Sequence, residues 1–170
     1  MSNSRYANLQ ATKAIANPNK REKIMIRRIF ASSFLAAALL APALASAAAP
    51  VVQVYKSAQC GCCSEWVKHL KANGFDVKAF DVTDPSEYRE KAGIPQAMGS
   101  CHTGMVNGYA LEGHVPAADI KHLLATKPKA IGLAVPAMPM GSPGMEGPRK
   151  DPFDVLLVQS ERTTVFKHYN

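Results

Sequence analysis

The sequence predicts one mixed α/β domain whose elements run β-α-β-α-β-β-α, followed by a loop and a closing β-hairpin. Three observations carry that expectation. The β-branched run Val51-Val52-Gln53-Val54-Tyr55 leads into Gln59-Cys60-Gly61-Cys62-Cys63-Ser64 and then into a helix-patterned stretch, so a strand gives way to a helix through a cysteine cluster. Cys63, Trp66, Val67 and Leu70 recur at helical spacing and form one apolar face. Asn107-Gly108 stands between two apolar runs and is a strong hairpin signal.

Taken in order, Val51–Tyr55 is apolar on both faces and reads as a buried first strand. The helix from Ser64 to Asn73 places Cys60 on the preceding turn, Cys63 inward, Cys62 to another side and His69 off the apolar stripe, exposed. Asn73-Gly74 supplies residues that tolerate a left-handed end. Phe75–Val82 is the second strand, alternating at Phe75, Val77 and Ala79, and parallel to the first because a helix joins them. Thr83 or Asp84 caps a short helix with Pro85 at its first position and Tyr88 and Ala92 on one face, which Gly93-Ile94-Pro95 stops. Gln96–Val106 and Tyr109–Val115 form the hairpin, with Met98 and Met105 as packing residues. Pro116 opens a third helix with Ile120, Leu123 and Leu124 on one face, and Pro128 ends it.

After Lys129 the composition changes. Val135-Pro136-Ala137-Met138-Pro139-Met140-Gly141-Ser142-Pro143-Gly144-Met145-Glu146 is a Met/Pro/Gly-rich loop, unsuited to a helix or a central strand. Phe153–Gln159 and Thr163–Lys167 read as a hairpin over Ser160-Glu161-Arg162 that adds to the sheet edge. The element order is that of the thioredoxin fold, and Cys60-Gly61-Cys62-Cys63 has the C-x-x-C frame at the strand-to-helix turn. Gly93-Ile94-Pro95 resembles the cis-proline segment that faces this motif in thioredoxins, which implies a cis Pro95 and Cys101 on the neighbouring strand.

The chain has 170 residues and a formal charge of +7, but residues 1–47 hold 7 of the 20 Lys and Arg and one of the 13 Asp and Glu. The remainder is nearly neutral, which removes the basic patch a nucleic-acid partner would need. Residues 1–47 read as a secretory signal: Arg27-Arg28, an apolar run from Ile29 to Leu44, and Ala45-Ser46-Ala47 as a cleavage site. The run is too short and Ala-rich for a permanent membrane span. Met25 makes a more ordinary start for such a signal than Met1, and Arg27-Arg28-Ile29-Phe30 faintly resembles a twin-arginine motif with poorly fitting flanks. The expected organisation is therefore a signal region, 1–47, and an exported domain, 48–170, in an oxidising compartment, the periplasm.

Two plain structural disulfides would use the four cysteines, but Cys62 and Cys63 are adjacent, and three thiols in four residues are wasteful as staples. Thiols at a helix N-terminus favour thiolate, which is both a redox nucleophile and a soft-metal ligand. Thiolate with thioether selects Cu(I), so Met138, Met140 and Met145 tilt the metal toward copper unless they simply cover the core. Cys60, Cys62, Cys63 and Cys101 are the principal metal candidates, and bridging of several copper ions suits adjacent cysteines better than one four-sulfur ion. His102 can ligate, orient a thiolate, or end a strand as a plain polar residue, and His114 is equally balanced between ligand and bystander. His122 and His168 read as surface residues. A thiol–disulfide oxidoreductase with Cys60 attacking and Cys63 resolving is the second reading. A zinc-stabilised module on Cys60, Cys63, Cys101 and His102 is the third.

Four motifs in one order carry a family resemblance: Cys60-Gly61-Cys62-Cys63, Ser100-Cys101-His102-Thr103, Glu112-Gly113-His114-Val115-Pro116, and Gly132-Leu133-Ala134-Val135-Pro136 continuing to Glu146. From about Val51 onward the chain resembles the periplasmic metal-binding family long filed as a domain of unknown function, which includes the CopG-type proteins of copper resistance. The resemblance implies a thioredoxin-like fold, copper handling and copper tolerance, and carries the family's cysteines onto Cys60, Cys62, Cys63 and Cys101. Its partners would be copper ions and other periplasmic copper-handling proteins or an efflux system, with Cu(I)/Cu(II) redox chemistry as an available activity. The resemblance also implies glycine at the position that Ala137 occupies.

Overall fold

The first strand, β1 (Val51–Lys56), buries one face only: Val52 and Val54 are fully enclosed, whereas Val51 remains 39% exposed. The expectation of a strand buried on both faces is corrected accordingly. A computed structural model describes residues 49–170; the signal region, its cleavage site and the start at Met25 lie outside them. Helix α1 (Gly61–Ala72) begins inside the cysteine cluster, three residues earlier than periodicity suggested, because Cys60 itself is the N-cap and its sulfur accepts the Cys63 N–H. Strand β2 (Asp76–Asp81) runs parallel to β1, as the intervening helix required.

Helix α2 (Ser86–Lys91) starts where Asp84 accepts the Ser86 N–H and hydroxyl. A short 3₁₀ turn, Gln96–Met98, follows, so Met98 lies on a turn and not on the third strand. Strands β3 (His102–Val106) and β4 (Tyr109–Gly113) pair antiparallel about Asn107-Gly108, with φ of 46° and 85°. Positive φ at both central residues is what such a two-residue hairpin turn demands, and Asn-Gly meets it cheaply. Helix α3 (Ala117–Thr126) follows Pro116 and ends on Lys127 in the left-handed region, just before Pro128. Pro95 is trans, as are all described peptide bonds, which corrects the cis-proline expectation.

One strand was not expected. β5 (Gly132–Val135) is wholly buried and runs parallel to β4. It fits because Gly132 lies against the Ala110 backbone so closely that a Cβ there would collide with it. Strands β6 (Phe153–Val158) and β7 (Thr163–Tyr169) then extend the sheet, as the closing hairpin predicted. The sheet has seven strands in the order β2-β1-β3-β4-β5-β6-β7.

Alternation along the strands divides the core in two. Val52, Val54, Leu111, Leu133, Val135 and Val155 pack with Trp66, Val67 and Leu70 of α1 and Ile120 and Leu123 of α3. A smaller cluster, Ile94, Ala110, Ala134 and Val158, gathers Ala92, Met98, Met105 and Ile131 around it. No described helix is long and apolar enough to cross a membrane.

Candidate metal centre

Two segments build the site. The first is the N-terminus of α1, where β1 hands over to the helix. Cys60 is fixed there by its N–H to the Ser57 carbonyl and by the N-cap bond from Cys63, and Ser64 binds back to the Cys60 carbonyl. The second is the segment before β3, which brings Cys101 and His102 alongside, because β3 pairs antiparallel with β1 and sets His102 opposite Lys56.

The four cysteine sulfurs lie within 4.8 Å of one another. Cys60 and Cys63 are joined as a disulfide, with Cα atoms 5.4 Å apart, while Cys62 and Cys101 are free thiols. Cys62 Sγ is 3.5 Å from Cys60 Sγ and 3.9 Å from Cys101 Sγ. Cys63 is fully buried, as the inward face of α1 required, and its sulfur lies 3.7 Å from the Cys101 carbonyl oxygen. Burial pushes the Cys101 thiol up to about 11, and the neighbouring Cys62 adds to it by charge and hydrogen bonding. A metal taking Cys101 as thiolate must therefore displace a tightly held proton. In the disulfide state two thiols remain for a metal, whereas reduction restores four.

His102 and His114 lie beneath the thiols. Both are fully buried. His102 packs against Trp66 at 4.4 Å between ring centres, tilted by 35°, and meets His114 edge-on at 5.1 Å. Burial drives the His102 pKa down to about 3, with His114 lowering it further, the Gly113 backbone offsetting part of that, and Lys56 adding a final lowering. The His114 pKa is also lowered by burial, against a raising contact with the Pro143 carbonyl and the charge of Glu146. His102 is buried at the start of β3 and His114 is buried just after β4, so neither lies at the surface. His69 is likewise not merely exposed: the Ala117 N–H donates to its Nε2 at 3.1 Å, and partial burial lowers its pKa against the raising charge of Glu146.

The methionine loop is folded on itself and seated on the site. Met145 N–H donates to Ser142, Gly141 to Met145, and Asp151 to Met140. At Gly144, with φ of +86°, a Cβ would stand 2.8 Å from the Cys62 carbonyl oxygen and the Trp66 nitrogen, so only glycine lets the loop reach the start of α1. Pro143 carbonyl oxygen lies 2.7 Å from His114 Nδ1. Met138, Met140 and Met145 are half-buried within the loop, and the Met140 methyl packs against Gly147. Ala137 and Met138 both adopt positive φ, of 63° and 46°.

Sequence reasoning missed the frame that holds Cys101. Glu112, fully buried in β4, pairs with Arg89 at 3.0 Å and accepts from the Ser100 N–H, the Ser100 hydroxyl and the Thr103 hydroxyl. Arg89 in turn reaches Gln96 and the Ser100 carbonyl. A lone carboxylate in an apolar strand next to a hairpin was the available signal, since a buried charge needs a partner. Trp66 is the second such residue: its indole N–H donates to the Val115 carbonyl at 2.8 Å, tying α1 to the segment bearing His114.

Residues 98–145 match a family described as a protein of unknown function, DUF411; that stretch holds Cys101, both buried histidines and the methionines of the loop. No curated protein sequence matches the chain. A solved structure described as copper resistance protein CopG, form 2, is 46% identical, with a TM-score of 0.68 over 72% of this chain and 99% of that chain. Form 1 of the same description is 45% identical, with a TM-score of 0.66 over 70% of this chain and 96% of that chain.

Proposed function

The chain belongs to the family of the copper resistance protein CopG, and on that premise we propose that it is an exported copper-binding protein of copper resistance that holds Cu(I) on Cys60, Cys62, Cys63 and Cys101. The single observation that supports this most is the convergence of four cysteine sulfurs, drawn from two distant segments, within 4.8 Å of one another. Thiolates in that number favour a soft ion. Sulfurs so close together also suit bridging of more than one copper ion. Met138, Met140 and Met145 are further thioether donors that loop movement would bring to the copper. Residues 1–47 serve as the signal region in this reading, and residues 48–170 as the periplasmic domain. The β1–α3 portion is read as thioredoxin-like, on the element order and the strand order β2-β1-β3-β4. The trans Pro95 departs from that pattern.

Copper enters as cargo. The dithiol and disulfide forms of Cys60 and Cys63 make Cu(I)/Cu(II) redox chemistry available: two thiolates joining as a disulfide release two electrons, which reduce two Cu(II) to two Cu(I). Anaerobic titration of the reduced protein with Cu(I), in competition with a chromogenic chelator, tests the proposal. More than one ion bound per chain with sulfur ligation is expected, and affinity no greater than that of a small dithiol refutes it.

A second reading, thiol–disulfide exchange, is favoured by the Cys60–Cys63 disulfide at a helix N-terminus. Efficient reduction of insulin by the dithiol form would establish it. The copper reading predicts poor activity there, because Cys62 sits 3.5 Å from Cys60 and competes for any mixed disulfide.

A further inference from the structure

The inward face of β1 carries one residue that its pattern does not predict. Val52, Val54 and Lys56 alternate onto the same side of the strand, and Lys56 is the one buried lysine among the described residues, 7% exposed. An amine enclosed at a core-facing position is costly unless it is partnered. Its Nζ donates to Asp81 Oδ1 at 2.7 Å and to the Ser57 carbonyl at 3.2 Å. The same Ser57 carbonyl accepts the Cys60 N–H at 3.1 Å, so Lys56 and the backbone of Cys60 share one acceptor. Strand pairing sets Lys56 between Asp81 on β2 and His102 on β3. The two charges of the ion pair are unequally screened. The Lys56 side chain is 9% exposed and that of Asp81 59%, so water damps the carboxylate's field and leaves more of the ammonium's on the protein side. The turn that bears the Cys60–Cys63 disulfide therefore adjoins a fixed, enclosed positive charge.

We propose that Lys56 is a positioning residue of the Cys60–Cys63 couple: it holds the turn through the Ser57 carbonyl, and its charge favours the reduced pair over the disulfide. When a small thiol reagent reduces the pair, two electrons pass from the reagent's sulfurs to the protein's. One S–S bond forms in the reagent as the other breaks in the protein, and the reagent's two protons go to the pair or, where thiolate is favoured, to water. The disulfide is neutral, whereas the reduced pair gains negative charge at the N-terminus of α1, where thiolate is favoured. An enclosed ammonium beside that turn therefore acts on one side of the equilibrium more than on the other. This role belongs to the sulfur couple and does not depend on which ion the four sulfurs hold.

Two substitutions separate charge from scaffolding. Lys56→Met keeps the bulk of the side chain and removes the charge, and the Asp81 carboxylate left behind is largely solvated, so the fold should survive. Asp81→Asn removes the counter-charge and leaves the ammonium. Each protein, free of metal, is equilibrated at one neutral pH in redox buffers of dithiothreitol or glutathione, and the Cys60–Cys63 disulfide is counted by alkylation and mass spectrometry. In Lys56→Met the equilibrium should move toward the disulfide by about tenfold, and in Asp81→Asn toward the dithiol by about threefold. Lys56→Arg, which keeps the charge, should stay within about threefold of the parent protein. Shifts of opposite sign follow from charge, whereas a lysine that only braced the turn would give both variants a shift of one sign. An unmoved equilibrium in Lys56→Met, or no movement toward the dithiol in Asp81→Asn, would overturn the role. Should Lys56→Met fail to fold, the direction of the Asp81→Asn shift decides alone. Failure of the copper reading would appear separately, as lost Cu(I) capacity in the reduced protein, because this equilibrium is measured without metal.

Discussion

Glu112 shows how much of the site depends on a residue that touches no sulfur. Three of its hydrogen-bond donors come from Ser100 and Thr103, on either side of Cys101, and the fourth from Arg89. Removing one member of a buried ion pair leaves the other charge without a partner, so Glu112→Ala should destabilise the protein by about 3–5 kcal/mol in chemical denaturation. Ala137 presents the opposite case. Its φ of 63° is a conformation that alanine adopts only at a cost of roughly 1 kcal/mol, which fits the glycine that the family resemblance implies there. Ala137→Gly should accordingly raise stability by about 0.5–1 kcal/mol, measured in the same way. His102 contributes to the response to acid, together with His114 and His69, whose pKa values burial also lowers. Its folded pKa of about 3 lies below the ordinary 6.5, so within that window the unfolded chain binds the extra proton. The stability involved is fully present above about pH 6.5 and is lost as pH falls toward 3. Denaturation midpoints of the metal-free protein should fall steeply over that range, and less steeply in His102→Gln. The cysteines, His102 and His114 were all legible as candidates from their motifs. The Arg89–Glu112 pair was not: Glu112 stands out as a carboxylate in an apolar strand, but its partner lies 23 positions away on a helix whose pattern does not mark it.

Elements followed their local signals where those signals were chemical and lost them where burial alone decided. Periodicity placed α1 and α3, and Asn107-Gly108 placed the β3–β4 turn, because each is a local preference of backbone or pattern. Strand β5 escaped, since four residues containing glycine and alanine and enclosed on both faces show neither alternation nor β-branched enrichment. The start of α1 was read late for a related reason: a cysteine N-cap does with sulfur what serine or aspartate does with oxygen. The closing hairpin is tied to the helical layer by the Tyr169 hydroxyl, which donates to Asp119 at 2.7 Å. Tyr169→Phe removes that bond from a largely buried carboxyl and should cost about 1.5–3 kcal/mol, visible as a lower unfolding midpoint.

Across the whole molecule, the sheet joins two segments whose donor atoms lie about 40 positions apart in the sequence. The β1–α1 junction supplies Cys60, Cys62 and Cys63, and the entry to β3 supplies Cys101 with His102. Antiparallel pairing of β1 with β3 is what closes the distance between them. Beyond β4, the added strands carry the methionine loop back onto α1 and His114, an arrangement no local pattern could announce, since it depends on Gly144 meeting a helix some 80 positions earlier. The central claim is that four sulfurs act as one donor set when reduced, and that the Cys60–Cys63 disulfide dismantles it. Cu(I) capacity measured by chelator competition on the same preparation, first fully reduced and then with that disulfide formed, tests this most directly. The account predicts more than one ion per chain in the reduced state and no more than one in the disulfide state. Equal capacity in the two states would contradict it.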